Sequence, residues 1–239
     1  MRIASRRLRR QSGFSLVEML VVVAILVTVM GVVFQQINEV QKRARSEENK
    51  LDMMQQSRET LDQMVRDLHQ AGYPNRTMYA GGVLGATPKT HTFNAVGLVK
   101  ITNNPPEIIF EGDVDSDHQV DSVRYRLVTT SAESTHCPCV ERSQVVKVTG
   151  EPLTGQSFAY HVSIENVASS GLSFTAYDLF GNTVTIPSGG LDINGSPTTL
   201  SSIRSIQITL QVQGQTPDLS TRRFPATAMT VNAQLRNQR

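Results

Sequence analysis

Cysteine is scarce, with two residues in 239, which excludes a small scaffold held together by several disulfides. Basic residues are scarce where nucleic acid would need them. Arg2, Arg6, Arg7, Arg9 and Arg10 all fall within the first thirteen residues, which contain no acid; setting those five aside turns the net charge of +2 into −3. A slightly acidic body argues against non-specific nucleic-acid binding, which takes clustered Lys and Arg to neutralise phosphates, and no specific nucleic acid is expected. No G-x-S-x-G, H-E-x-x-H or P-loop pattern is present, so the familiar hydrolase, zinc-protease and nucleotide signatures are missing. His69, His91 and His161 stand singly in polar or strand-like contexts and read as surface or core residues. No internal repeat or low-complexity tract occurs. With 39% hydrophobic residues the chain is too apolar to be disordered, and an enzyme is not expected.

What the sequence does have is one long apolar run. Phe14 to Phe34 reads FSLVEMLVVVAILVTVMGVVF, and a helix of that length spans about 30 Å, the thickness of a bilayer's hydrocarbon core. Five arginines before it and a polar stretch from Gln35 place the leader in the cytoplasm and export the remainder. A cleaved secretory signal is the rival, but the run ends in Met30-Gly31-Val32-Val33-Phe34-Gln35, without the small-residue cleavage site such signals carry. Glu18 is out of place in a plain anchor. An ionised carboxylate near the bilayer centre costs roughly 2.5–3.5 kcal/mol or more, so it calls for a cationic partner.

Gly13-Phe14-Ser15-Leu16-Val17-Glu18 resembles the cleavage signature of type IV prepilins and type II secretion pseudopilins, with the short basic leader before it and the apolar helix after it. The resemblance implies that a prepilin peptidase cuts between Gly13 and Phe14 and methylates the new N-terminal Phe14. It also implies that Glu18, fifth in the mature chain, pairs with the N-terminal amine of a neighbouring subunit. A buried carboxylate becomes tolerable when a cation pairs with it.

The helix is predicted to continue to Ala71. Ile37, Val40, Ala44, Leu51, Met54, Leu61, Met64, Val65 and Leu68 recur at amphipathic spacings, and Gly72 and Pro74 stop the helix. At ~1.5 Å per residue it is roughly 87 Å long. A coiled coil is the alternative, but the heptad is not sustained. The expected organisation is a leader over 1–13, a transmembrane half-helix over 14–34, an amphipathic half over 35–71 packed on a head, and a globular head over 72–239. In the head, Val123-Tyr125-Leu127, Val146-Val148, Tyr160-Val162-Ile164, Ile206-Ile208-Leu210-Val212 and Met229-Val231-Ala233-Leu235 alternate with the period of half-buried strands. Phe174-Ala176 and Val184-Ile186 flank a hairpin turn at 178–182, and 72–91 reads as a loop crossing from helix to sheet. A long helix followed by strands gives an α+β fold with an antiparallel sheet. The ending Val231-Asn232-Ala233-Gln234-Leu235-Arg236-Asn237 is similar to those of PilW/PilJ-type minor pilins.

Two side-chain clusters bear on chemistry. Asp113, Asp115, Asp117 and Asp121 lie in GDVDSDHQVD. Calcium takes six to eight oxygens, and a D-x-D-x-D turn supplies three, with the Gln119 carbonyl and Asp121 at the seventh and ninth loop positions. His118 replaces the glycine of an EF-hand's sixth position and Arg124 the glutamate of its twelfth, so a short calcium turn and a solvated acidic turn both stay open. Cys137 and Cys139 flank Pro138 after His136. One intervening residue allows the Cα separation a disulfide needs, and the exported compartment allows oxidation. Free thiols, redox chemistry and a metal remain alternatives.

The expected function is that of a minor type IV pilin: a low-copy subunit assisting pilus initiation or assembly near the tip, held in the bacterial inner membrane and then in the pilus. Its expected partners are other pilin or pseudopilin subunits and the prepilin peptidase. A J-type pseudopilin of a type II secretion system is the alternative, and a membrane-anchored periplasmic redox or calcium-dependent enzyme the more remote one.

Overall fold

The computed structural model describes residues 13, 15–74, 92, 94–214, 217 and 222–237; the basic leader, Phe14, His91 and most of the 72–91 crossing lie outside the described residues. In chain order the elements are α1 (Leu16–Gln70), β1 (Leu98–Asn103), β2 (Pro106–Gly112), β3 (Asp121–Val128), β4 (Cys139–Val146), β5 (His161–Ile164), β6 (Val167–Tyr177), β7 (Thr183–Val184), β8 (Leu191–Asp192), α2 (Pro197–Ser202), β9 (Ser205–Gln213) and β10 (Ala226–Gln234). The chain divides into two compact units, Met1–Glu48 and Asn49–Arg239.

In the first unit the described residues are almost wholly helical. Its apolar side chains, among them Leu16, Val17, Leu20, Ile25, Val29 and Phe34, are all exposed. The Thr28 hydroxyl donates to the Ala24 carbonyl at 2.8 Å, so one of the few polar groups in the run is satisfied within the helix, as a hydrocarbon surrounding requires. The segment is long and apolar enough to cross a membrane.

In the second unit α1 presents a single buried stripe, Ser57, Thr60, Leu61, Met64, Asp67 and Leu68, spaced by three and four as one helical face demands. Leu51 and Met54 remain exposed. The amphipathic face expected from residue 37 onward is therefore buried only in its last turns, where Thr60 donates to the Ser163 carbonyl of the edge strand β5. Gly72, at φ +82°, ends the helix in the left-handed conformation that glycine adopts without strain.

The strands form two antiparallel sheets where one was expected. Six strands run β5-β4-β3-β2-β1-β8 and four run β10-β9-β6-β7. In the smaller sheet Ile206, Ile208, Leu210 and Val212 of β9 are buried, while the residues between them are half-exposed, the alternation of a sheet with one covered face. The hairpin at 178–182 is present, with Ala176 opposite Val184. In the larger sheet β2 is buried along nearly its whole length. The register aligns Ile108, Tyr125 and Arg142 on the face turned to α1, and Glu107, Arg126 and Glu141 on the other. That second face carries ion pairs, Glu107 with Lys100 and Arg124, and Arg126 with Glu141. Tyr160 lies over it with its ring centroid 3.5 Å from the Arg126 guanidinium carbon.

Candidate functional site

At the N-terminus, Gly13 is exposed and outside the helix, and Leu16 begins α1. The Met19 amide donates to the Ser15 carbonyl at 3.1 Å. Glu18 therefore sits in the first turn, exposed, and is the acidic residue there. A carboxylate at this end is favoured by the partial positive charge of the unpaired amides. Exposed apolar side chains such as Val17 and Leu20 surround it. It is thus a charge on a surface otherwise suited to lipid or to another apolar helix, open to a cation from outside.

The acidic loop begins where the end of α1 meets β2. Gly112, the last residue of β2, approaches so closely that a Cβ there would fall within 3.0 Å of the Gln70 carbonyl oxygen and carbon. The Gly72 amide donates to the Glu111 carbonyl and the Asp113 amide to the Tyr73 carbonyl, each at 2.8 Å. From this fixed start, one carboxylate oxygen from each of Asp113, Asp115 and Asp117 lies within 4.8 Å of the others. Asp113 is buried; Asp115 and Asp117 are exposed. The Asp113 Oδ2 accepts the His118 amide, and Asp117 accepts both the amide and the side-chain nitrogen of Gln119. Ser116 and His118 hold φ of 64° and 70°, so the position where glycine was missed is indeed left-handed.

Asp121 stands apart from that trio. It lines an open cleft of about 430 Å³ with Asp115, Arg142, Gln144, Val146, His161 and Ser163. Gln144 Nε2 donates to both Asp115 and Asp121. Burial, reinforced by the negative charge of Asp115, pushes the Asp121 carboxyl up to about 6.

Cys137 and Cys139 are joined by a disulfide, with Cα atoms 4.5 Å apart. The segment is pinned to the strand that begins β6: the Asn166 amide donates to the His136 carbonyl and the Val167 amide to the Pro138 carbonyl. His161 is exposed and contacts Glu133 at 2.9 Å. Burial lowers the pKa of His69, and Arg236 nearby acts in the same direction. Although His161 shares the cleft with Asp115, neither histidine joins the three aspartates in a ligand group among the described residues.

Two buried polar clusters escaped the sequence reading. Asp67 of α1 accepts the Tyr125 hydroxyl at 2.7 Å and Arg142 Nε at 2.9 Å, and burial, with the Asp67 charge beside it, pushes the Tyr125 phenol upward. A hint was available, since Asp67 falls between Met64 and Leu68 on the apolar stripe. The other is Lys147, wholly buried, whose Nζ donates to Glu111 Oε2 at 2.6 Å and to the Asn94 carbonyl at 2.9 Å. Lys147 lies between valines in a strand-like stretch, a pattern that normally sends it to solvent.

Compared with known proteins, residues 8–34 match the family model described as the prokaryotic N-terminal methylation motif. No curated protein and no solved structure matches the chain.

Proposed function

From a chain that carries the N-terminal methylation motif, the signature of type IV prepilins and pseudopilins, we propose a minor type IV pilin, a low-copy subunit that assists pilus initiation or assembly at or near the tip. The observation that carries the filament-subunit part of this reading is Glu18: a lone carboxylate in the first turn of an exposed apolar helix, five residues after Gly13. A plain anchor gains nothing from that charge, whereas a filament subunit uses it to pair with the N-terminal amine of the next subunit. The motif suggests a structural subunit rather than an enzyme. It implies processing by a prepilin peptidase and assembly with other pilins, and together with the long apolar helix it fits an inner-membrane anchor.

The choice of pilus over secretion machine rests on the C-terminal resemblance to PilW/PilJ-type minor pilins. A type II secretion pseudopilin is the second reading, because the same N-terminal signature serves both machines. Deleting the gene separates them: loss of surface pili with secretion intact supports the pilin, and loss of secretion with pili intact overturns it. Glu18→Ala tests the assembly role. Insertion should be unchanged or better, because an intramembrane charge is removed, while the variant should be missing from purified filaments. Wild-type amounts there would contradict the role.

A further inference from the structure

We propose that the loop between β2 and β3 is a calcium site, with Asp113, Asp115 and Asp117 as carboxylate ligands, the Gln119 carbonyl as a fourth oxygen and Asp121 reaching the ion through water. Convergence is the first support. Two oxygens that each lie 2.3–2.6 Å from one calcium ion are at most about 5 Å apart, and one oxygen from each of the three aspartates meets that limit, at 4.8 Å or less.

The second support does not depend on the loop's charge. Asp113 is 3% exposed, and its Oδ1 is buried without a hydrogen-bond partner, while Oδ2 is taken by the His118 amide. A solvated acidic turn would hydrate its carboxylates; water does not reach this oxygen, and a buried polar atom left unpaired is costly. A cation among the three carboxylates supplies the missing partner and offsets their mutual repulsion.

Calcium suits the site better than magnesium. Magnesium demands near-ideal octahedral geometry and gives up its waters reluctantly, whereas calcium's flexible coordination accepts an irregular set of oxygens drawn from one loop. The ninth loop position commonly acts through a water, which matches Asp121, held to one side by Gln144. The loop lacks the bidentate twelfth-position ligand of an EF-hand, since Arg124 lies there and pairs with Glu107. A weak site follows, with Kd of roughly 10⁻⁴–10⁻³ M, the range of extracellular modules. Its structural effect is local: Asp113 is bonded to the Tyr73 carbonyl at the end of α1, so the ion fastens the loop that secures the helix end to β2.

The test uses the full chain in detergent micelles, titrated with calcium chloride by isothermal titration calorimetry, with magnesium chloride as competitor and a chelator-treated control. One calcium per chain should bind in the stated range. At a hundredfold excess over Kd the melting temperature should rise by about 5–10 °C. Asp115→Asn with Asp117→Asn, both exposed and therefore tolerated by the fold, should weaken binding at least tenfold. His118→Gly should keep or tighten it by relieving a left-handed non-glycine residue. Absence of heat and of any melting shift at 10 mM calcium would overturn the proposal. So would equal binding by the double variant, or magnesium binding as tightly as calcium.

Discussion

Lys147→Met is the most informative perturbation of the head. The ammonium it removes is fully buried and donates to Glu111 Oε2 at 2.6 Å. Burial already pushes the Glu111 carboxyl above its ordinary range, and Lys147 is the main influence opposing that rise. Breaking one half of a buried ion pair costs about 3–5 kcal/mol. For a domain of this size that is a fall in melting temperature of about 6–20 °C. The cost has a definite pH dependence. With the cation gone the folded-state pKa of Glu111 climbs further, so the folded protein holds a proton that the unfolded chain releases near 4.5. Stability from this group is therefore complete below about pH 4.5 and is lost as pH rises through the folded pKa, at about 1.4 kcal/mol per pH unit within that window. The variant should be less impaired at pH 5 than at pH 7. Combining Lys147→Met with Glu111→Gln removes the charge, keeps an acceptor for the Val96 amide that Glu111 now binds at 3.0 Å, and should recover most of the loss. Thermal melts followed by circular dichroism provide the assay, since the chain has no tryptophan. Equal losses at pH 5 and pH 7, with no recovery in the double variant, would refute this account of the pair.

Asp67→Asn should destabilise the head by about 3 kcal/mol, because it leaves Arg142, which Asp67 binds at 2.8 Å through Nη2, half-buried without its counter-charge; chemical denaturation reads the change. Tyr125→Phe should cost about 1 kcal/mol, as the loss of one hydrogen bond, by the same measurement. Gly112→Ala should impair folding severely, since its Cβ would meet backbone and not a flexible side chain, and hydrogen exchange should show early opening at residues 70–73. Reducing the Cys137–Cys139 disulfide should shift melting only slightly, because a loop closed over so few residues restricts the unfolded chain little; a shift above about 5 °C would contradict this.

The α+β character and the long helix were legible in the residues, because both rest on periodicity. Strands β3 and β9 announced themselves in the same way, each burying its alternating apolar residues, and so did β10, where Met229 and Val231 are half-buried and Ala233 is buried. Strand β2 did not. Ile108, Ile109 and Phe110 are consecutive and all buried, because a central strand covered on both faces has no reason to alternate. The two-residue strands β7 and β8 and the six-residue α2 are too short to show any period. Likewise the amphipathic spacing from Ile37 onward described a helix face without revealing that burial begins at Ser57. At the candidate sites, the motif around Gly13 and the acidic string were visible because their residues are close in sequence. Lys147 and Glu111 are 36 positions apart, and their pairing depends on a three-dimensional approach that no local pattern encodes.

The central claim, that this chain is matured as a filament subunit, is tested most directly by mass spectrometry of the protein recovered from a membrane fraction of its native host. The account predicts a mature chain that begins at Phe14 and carries one extra methyl group on its amino terminus, with Gly13→Ala protein retaining its leader. A mature chain that begins near Gln35, or an uncut wild-type chain in cells with an active prepilin peptidase, would contradict it.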